Sequence, residues 1–238
     1  SALYAVAPGS INFGNSLAAG GDVDGDDVPD FAVDEYGLFA HVYSGATGTL
    51  IRSLSVDHPT DVFGTSVAGI GDADLDDVPD FVVGATPGTT GEYLEPTHYL
   101  GRGHAYVFSG ATGDVVHAFQ GSVVAGAGRV DGDPIDDVLV GMPQANSSKG
   151  RVRLLSGASG LPIRVRNGNL PALFFGREVV GVGDVTGDGA SDYVVGSILP
   201  TGSLGTWRAT VFSGATGNVL LALTGDPDDG RASLAGAG

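Results

Sequence analysis

Short apolar segments alternate along this chain with turns rich in glycine and aspartate. Residues 31–33 and 105–108, for example, combine β-branched and aromatic side chains, which are the side chains that strands prefer. No segment sustains a 3.6-residue apolar period flanked by helix caps, so we expect almost no helix. The pattern therefore predicts an all-β protein.

The same hydrophobic and polar pattern returns four times. An aspartate-rich segment begins at Gly21, Gly71, Gly128 and Gly183, and each copy is followed by an apolar strand. A second element, Ser-Gly-Ala-Thr-Gly or its close variant, begins further on at Ser44, Ser109, Ser156 and Ser213. A Phe-Gly pair precedes three of the aspartate segments, at Phe13, Phe63 and Phe175, and is missing from the third unit.

The repeat period indicates a β-propeller. The aspartate loops start at residues 22, 72, 129 and 184, and a period of about 40–60 residues built from short strands is typical of propeller blades. Each unit contains four candidate strands. The predicted units span residues 13–60, 61–121, 122–172 and 173–225, within a single propeller domain or propeller fragment covering residues 1–238.

Both ends of the chain resemble parts of a further unit. Residues 233–238 copy the first strand of a unit, and residues 3–7 match a fourth strand. We expect a partial unit made of residues 231–238 with residues 1–10, because an unpaired sheet edge is a liability. Three alternatives remain open: closure of the ring by the terminal strands, pairing with a second copy, or continuation in a longer array.

Composition supports this interpretation and excludes several partners. The 238 residues include 41 glycines and 12 prolines, which suit frequent turns, and 42% hydrophobic residues, which suffice for a sizeable core. The formal net charge of −17 disfavours nucleic acid and anionic lipid as partners. No apolar run reaches the roughly 18–20 residues of a membrane span, so no membrane insertion is expected. The absence of cysteine excludes disulfides.

Oxygen-bearing side chains recur at positions 1, 3, 5 and 9 of the aspartate loops, counted from Asp22. Such alternating positions on a curled loop can face one centre, and position 7 can add a backbone carbonyl. Several charged oxygen ligands suit Ca²⁺, whereas Mg²⁺ keeps more water and Zn²⁺ favours Cys and His. An ordinary acidic turn is the alternative. The predicted ligands are Asp22, Asp24, Asp26, Val28 and Asp30 in loop 1, Asp72, Asp74, Asp76, Val78 and Asp80 in loop 2, and Asp184, Thr186, Asp188, Ala190 and Asp192 in loop 4.

Taken together, these motifs resemble the FG-GAP repeat of integrin-α-type β-propellers. The resemblance rests on Phe-Gly, on Gly-Asp-x-Asp-x-Asp-x-x-x-Asp, on Val-Val-Gly-Ala at residues 82–85 and on Val-Phe-Ser-Gly, and it extends from about residue 13 to residue 225. It implies a propeller with Ca²⁺ loops between the first two strands of each blade, adhesive or recognition functions, and an extracellular or cell-surface location. Integrin propellers have seven blades, and this chain has four full units.

The third loop departs from the pattern. Arg129 occupies position 1, while Asp131, Asp133 and Asp137 remain at positions 3, 5 and 9. A guanidinium there changes the local charge by the amount that a missing divalent ion would supply. We therefore expect Arg129 to fork onto Asp131 or Asp137 as a built-in cation. The alternative is an Arg129 directed into solvent beside a weakened Ca²⁺ site.

A binding scaffold is the favoured function, with a protein or a carbohydrate as the ligand. The four serines of the repeated turns recur in every unit, which indicates a structural role rather than a role as nucleophiles. No catalytic residue is predicted. A polysaccharide lyase or glycosidase is the alternative, using carboxylates outside the loops. The expected ligand-contacting residues are Tyr93, His98 and Tyr99, in the long 85–103 connection, and Trp207. The enzyme alternative would use Asp34, Glu35, Glu92, Glu95 or Glu178.

Overall fold

Sixteen strands form four separate antiparallel sheets in a computed structural model that describes residues 13–35, 37–57, 61–87, 103–201, 205–225 and 234. Each sheet has four strands in chain order and is built from one repeat unit. Blade 1 contains β1 (Phe13–Gly21), β2 (Asp30–Glu35), β3 (Phe39–Tyr43) and β4 (Leu50–Leu54). Blade 2 contains β5 (Asp61–Gly69), β6 (Phe81–Pro87), β7 (His104–Phe108) and β8 (Val115–Gln120).

The remaining two blades follow the same plan. Blade 3 contains β9 (Val123–Gly128), β10 (Asp137–Met142), β11 (Arg151–Leu155) and β12 (Pro162–Asn167). Blade 4 contains β13 (Leu173–Gly183), β14 (Asp192–Leu199), β15 (Thr206–Phe212) and β16 (Val219–Thr224). The predicted all-β architecture of four-stranded propeller blades is thereby confirmed. The predicted terminal half-units lie outside the described residues, apart from residue 234.

Helix is nearly absent from the described residues, as expected. The single helical element, α1 (Ala145–Ser148), is one short turn between β10 and β11 in which Asn146 and Ser147 have left-handed backbone angles. No helix in this part of the chain has the length and apolarity to cross a bilayer.

The Ser-Gly-Ala-Thr-Gly segments form the turns between the third and fourth strands, as predicted. In blade 1 the amide of Ser44 donates to the carbonyl of Thr49 (2.9 Å), and the amide of Gly48 donates to that of Ser44 (2.8 Å). Gly48 has φ +71°, a left-handed conformation that glycine adopts without strain. The equivalent bonds recur in the other three blades, so each blade carries the same tight turn.

Consecutive blades pack face to face, and three hydrophobic clusters fill the three interfaces. We call the face of a blade that is turned to the next blade its leading face. On each leading face, one residue from each of the second, third and fourth strands forms a row of neighbours. Across strands two, three and four, Ala32, Val42 and Arg52 lie side by side in blade 1. The corresponding rows are Val82, Val107 and His117 in blade 2, Leu139, Leu154 and Arg164 in blade 3, and Val194, Val211 and Leu221 in blade 4.

In blades 1, 2 and 3, the fourth-strand residue of this row lies against the Ser-Gly-Ala-Thr-Gly turn, or its close variant, of the next blade. Arg52 donates through Nη1 to the carbonyl of Thr112 (2.6 Å) and through Nη2 to that of Ala111. His117 takes the equivalent place against the next turn, where a Cβ added to Gly160 would come within 3.0 Å of its Nδ1. An arginine therefore holds the turn at the first and third interfaces, whereas His117 lies beside the turn at the second interface and its buried Nε2 has no hydrogen-bond partner among the described residues.

The third interface has the most extensive of these contacts. Arg164 donates through Nη1 to the carbonyl of Thr216 (3.0 Å) and through Nη2 to those of Gly214 and Ala215 (both 3.2 Å). We call this contact, and the equivalent contact of Arg52, the arginine clasp.

Blade 4 ends this series differently. Leu221 stands where the arginines stand, and it is 50% exposed, while Leu223 of the same strand is 56% exposed. All six residues of β16 are exposed. Within the described residues, the leading face of blade 4 is therefore an apolar surface without a clasp.

The innermost strands are joined by a second contact. Ser16 accepts the amide of Val67 (2.9 Å), and Ser66 accepts that of Val124 (3.1 Å), each through Oγ. In blade 4, Glu178 accepts the amide of Leu234 through Oε2 (3.0 Å). The amide of Leu234 is thus bonded by blade 4 at the position where blade 1 bonds Val67 and blade 2 bonds Val124, and the partial unit itself stays a prediction.

Candidate metal centres

Three of the four aspartate loops bring carboxylates together. The loops connect the first and second strands of each blade, and in three of them three carboxylates offer oxygens that all lie within 4.8 Å of one another. These groups are Asp22, Asp24 and Asp30 in loop 1, Asp72, Asp74 and Asp80 in loop 2, and Asp131, Asp133 and Asp137 in loop 3. Loops 1 and 2 therefore use positions 1, 3 and 9.

The aspartate at position 1 closes its own loop. In loop 1, Asp22 accepts the amides of Gly25 (2.8 Å), Asp26 (3.1 Å) and Asp27 (2.8 Å). The sequence folds this way because Asp27 adopts φ +66°, a left-handed conformation that aspartate tolerates better than most residues. In loop 4, the same type of backbone hydrogen bonds, led by that from Gly189, lowers the pKa of Asp184.

The aspartate at position 9 is buried in every blade and bridges two motifs. Asp30, which is 1% exposed, accepts the amide of Val23 through Oδ2 (2.7 Å) and the amide of Gly45 through Oδ1 (2.8 Å). One oxygen thus holds the loop, and the other holds the Ser-Gly-Ala-Thr-Gly turn. The same bridge is made by Asp80 to Ala73 and Gly110, by Asp137 to Val130 and Gly157, and by Asp192 to Val185 and Gly214.

Sequence reasoning assigned position 9 to a metal ligand and missed this bridge. The available signal was the joint recurrence of an aspartate at position 9 and a glycine at the second position of the turn in all four units, including the degraded third one. Burial raises the pKa of Asp80 and of Asp137 to about 6, against the opposing effect of the backbone amides that they accept. These two carboxylates therefore lie in sites where an added positive charge is favourable.

The structure of the third loop contradicts the prediction that Arg129 serves as an internal cation. Arg129 forms its ion pair with Asp136 (3.6 Å between Nε and Oδ1), and its side chain is 65% exposed. The predicted fork onto Asp131 or Asp137 is therefore wrong. The physical reason is that Asp137 is buried and already accepts amides at both oxygens, whereas the neighbouring Asp136 is accessible to a guanidinium. The three loop carboxylates converge with no arginine between them.

Position 5 and the fourth loop are arranged differently. Asp26 and Asp76 lie outside the carboxylate groups, and each accepts the amide two residues on, from Val28 and Val78 (both 2.9 Å). The three aspartates of loop 4 do not form such a group among the described residues, and Thr186 donates to Asp184 (3.3 Å). Ligation by position 5, by the position-7 carbonyls and by loop 4 stays a prediction.

The donor set fits a hard cation. Each of the three groups consists only of carboxylate oxygens, at least one of them buried, and contains neither sulfur nor imidazole. Oxygen donors of this kind are those that Ca²⁺ uses. In loop 2, burial and the neighbouring Asp76 and Asp72 raise the pKa of Asp74, so the clustered negative charges oppose one another. A divalent ion would relieve that repulsion.

Among the other predicted site residues, Trp207, Asp34, Glu35 and Glu178 lie within the described part of the chain. Tyr93, His98 and Tyr99 lie outside the described residues, as do Glu92 and Glu95. Trp207 is the second residue of β15 rather than part of a loop, and the guanidinium of Arg177 covers its ring at 4.0 Å.

The remaining carboxylates named for the enzyme alternative have separate structural partners. Asp34 is fully buried and accepts the amide of Ser16 (2.7 Å), while Glu35 pairs with His41 (2.9 Å). Glu178 lies in blade 4, where it accepts the amide of Leu234.

Comparison with known proteins adds only a fold likeness. No family model matches this chain, and no curated protein matches it. Among solved structures, the chain is similar to the Dos1 propeller at 12% sequence identity, with a TM-score of 0.47. The match covers 83% of this chain and 44% of that one, so the chain spans less than half of that structure's length. Membership of the FG-GAP family stays a prediction.

Proposed function

We propose that this protein is a calcium-stabilised binding and adhesion scaffold of the FG-GAP type, located outside the cell or on its surface. It would recognise a protein or a carbohydrate through the connections on one end of its blades. The observation that carries the proposal is the recurrence of a carboxylate group in the loop between the first and second strands of blades 1, 2 and 3, at positions 1, 3 and 9 in the first two and at positions 3, 5 and 9 in the third.

The proposed role of the ion is structural. The position-9 aspartate already joins loop to turn, and an ion held by positions 1, 3 and 9 would fix the same elements more firmly. Because the unfolded chain cannot assemble this group, binding would stabilise the folded state by mass action. An ion concentration of about 100 times Kd would stabilise it by about 2.7 kcal/mol for each site.

The test is the melting temperature of the chelator-treated protein as Ca²⁺ is added. A gain of about 2.7 kcal/mol corresponds to a rise of roughly 5–10 °C for a chain of this length. The variant Asp24→Asn should lose the part of this rise that comes from loop 1. Its matched control is Asp27→Asn, which removes the same charge from the same loop outside the carboxylate group and should keep the full rise.

Two results would contradict the proposal. One is a melting temperature that ignores both chelator and Ca²⁺, with no metal detected by elemental analysis. The other is an equal loss in Asp24→Asn and Asp27→Asn, which would indicate general charge repulsion rather than a site.

A further inference from the structure

A polar cleft lies in blade 3, between the β10–β11 connection and the β12–β13 connection. It is a shallow cleft, largely open to solvent, with a volume of about 360 Å³. In each blade, these two connections lie at the opposite end of the strands from the aspartate loop. The cleft is lined by Asn146, Lys149, Asn167, Gly168, Asn169 and Leu170.

The frame of the cleft is fixed by backbone bonds. The amide of Gly168 donates to the carbonyl of Gly150 (2.9 Å), and the amide of Phe175 donates to that of Lys149 (3.2 Å). Gly168 approaches so closely that a Cβ there would lie 1.9 Å from the Lys149 carbonyl oxygen. The two connections are thus held together without any ligand, and the lining groups are preorganised.

The stretch of sequence that contains the cleft residues has the opposite sign of charge to the whole protein. Six of the eleven Lys and Arg residues, and none of the 28 Asp and Glu residues, fall within residues 138–177. The lining itself contains Lys149, which is the only lysine of the chain, and no acidic side chain. Lys149 forms no ion pair with any described residue. An anionic group would therefore find a cation in this cleft, in a protein whose net charge is −17.

Two of the three asparagine amides that line the cleft, those of Asn146 and Asn167, are held by hydrogen bonds. Asn167 accepts through Oδ1 from Nε of Arg151 (2.8 Å) and from Nδ2 of Asn146 (3.0 Å). Arg151 also donates through Nη2 to Asn146 (3.4 Å). The Nδ2 donors of Asn167 take no part in this network and bond to no acceptor among the described residues. Asn169 makes no hydrogen bond within the same part of the chain and is exposed.

We propose that this cleft binds a saccharide that carries a carboxylate, such as a uronic acid residue. Lys149 would pair with the carboxylate, and the amides of Asn167 and Asn169 would bond to the ring hydroxyls. The side chain of Leu170, which is 66% exposed, would lie against the apolar face of the ring. The inference deepens the proposed function by naming the ligand class of one of its surfaces.

The observations favour an acidic saccharide over an acidic peptide. Recognition of clustered peptide carboxylates relies on arginine forks. Here the nearest guanidinium, that of Arg151, is already engaged by Asn167 and Asn146. What the cleft offers is a single cation, several neutral amides and one exposed apolar side chain. This combination matches one carboxylate among several hydroxyls.

The test is calorimetric titration with a glucuronic-acid-containing disaccharide, its neutral glucose counterpart and a glutamate-rich peptide. We expect the acidic disaccharide to bind, and to bind at least tenfold more tightly than the other two. Lys149→Gln should weaken it about tenfold or more, because a charge-assisted hydrogen bond contributes about 1.5–3 kcal/mol. The matched control is Arg129→Gln, which removes an exposed cation of the third aspartate loop and should leave the affinity unchanged.

A second readout uses the uniqueness of the lysine. Bound disaccharide should slow the acylation of Lys149, measured by mass spectrometry of the peptide that contains it, and leave acylation of the chain's amino terminus unchanged. Equal affinity for the neutral disaccharide, tighter binding of the peptide, unaltered binding by Lys149→Gln, or no binding at all would each overturn the inference. Because the cleft shares no residue with the aspartate loops, the calcium experiment can fail while this one succeeds, and the reverse also holds.

Discussion

The interfaces between consecutive blades and the leading face of blade 4 use the same strand positions, but the side chains at those positions differ in contacts and exposure. In blades 1 and 3 the fourth strand presents Arg52 and Arg164 to the carbonyls of the next turn. In blade 4 the equivalent residue is Leu221, which is half exposed. The guanidinium of an arginine supplies several N–H donors to the turn carbonyls, which a leucine cannot do. In blade 2 the same position holds His117, whose buried Nε2 has no hydrogen-bond partner in the described part of the chain. The arginine clasp is therefore a property of individual interfaces and not of the repeat.

The largest effect should come from truncating the same strand position on the two kinds of face. Leu54 and Leu223 occupy equivalent places in β4 and β16, but Leu54 is 1% exposed and Leu223 is 56% exposed. Leu54→Ala should lower the free energy of unfolding by about 2–5 kcal/mol, because it leaves a cavity between blades 1 and 2. Leu223→Ala should change it by no more than about 0.5 kcal/mol. Urea denaturation measures both.

Equal costs for the two leucines would break the comparison. That result would mean that the leading face of blade 4 is covered in solution by another copy or segment. A dependence of the Leu223→Ala cost on protein concentration would identify a second copy as the cover.

A smaller effect should follow from removing an arginine clasp. Arg164→Gln deletes the guanidinium that bonds three carbonyls of the blade 4 turn. We expect a loss of about 1–3 kcal/mol in the free energy of unfolding, since the carbonyls lose their donors. Leu221→Gln places a glutamine at the equivalent position in blade 4 and should leave the free energy of unfolding nearly unchanged. A neutral Arg164→Gln variant, again by urea denaturation, would show that water replaces the clasp without cost.

The smallest expected effect is a pH dependence of stability that arises from Asp34 at the first interface. Asp34 stands where blades 2, 3 and 4 have Gly84, Gly141 and Gly196. Its Oδ2 is buried without a hydrogen-bond partner, and burial raises the pKa of its carboxyl above the usual value. The folded state therefore holds the Asp34 proton more tightly than the unfolded chain does.

The stability that this proton contributes is fully present below the unfolded pKa of about 3.9 and is lost as pH rises through the folded pKa. Asp34→Asn should remove this loss. The free energy of unfolding of the variant should therefore rise relative to that of the natural protein as the pH goes from acid to neutral. Urea midpoints measured across that range check the sign. The exposed Asp27→Asn serves as a control, and a variant curve parallel to that of the natural protein would contradict the assignment.

The blades were predictable from sequence because their information is local. Period, strand composition and the Ser-Gly-Ala-Thr-Gly turn all act within a few residues of one another. The clasps were not predictable, because Arg52 bonds a carbonyl 60 residues away and nothing near Arg52 marks that partner. The fate of Arg129 depended on burial: Asp137 is enclosed and its neighbour Asp136 is reachable, a difference that two adjacent aspartates do not reveal in sequence.

If the second loop binds the proposed ion, its position-9 aspartate would couple ion binding to the contact between the first two blades. Asp80 accepts the amide of Gly110 from the blade 2 turn, and the carbonyl of Thr112 in that same turn holds Arg52 of blade 1. An ion that stiffened the second loop would therefore be expected to stabilise the interface between the first two blades as well. Linkage is reciprocal, so a pulling force that parts those blades should lower the affinity of the loop for its ion. An adhesive array built this way would hold best where calcium is plentiful and would give way, blade by blade, as calcium falls.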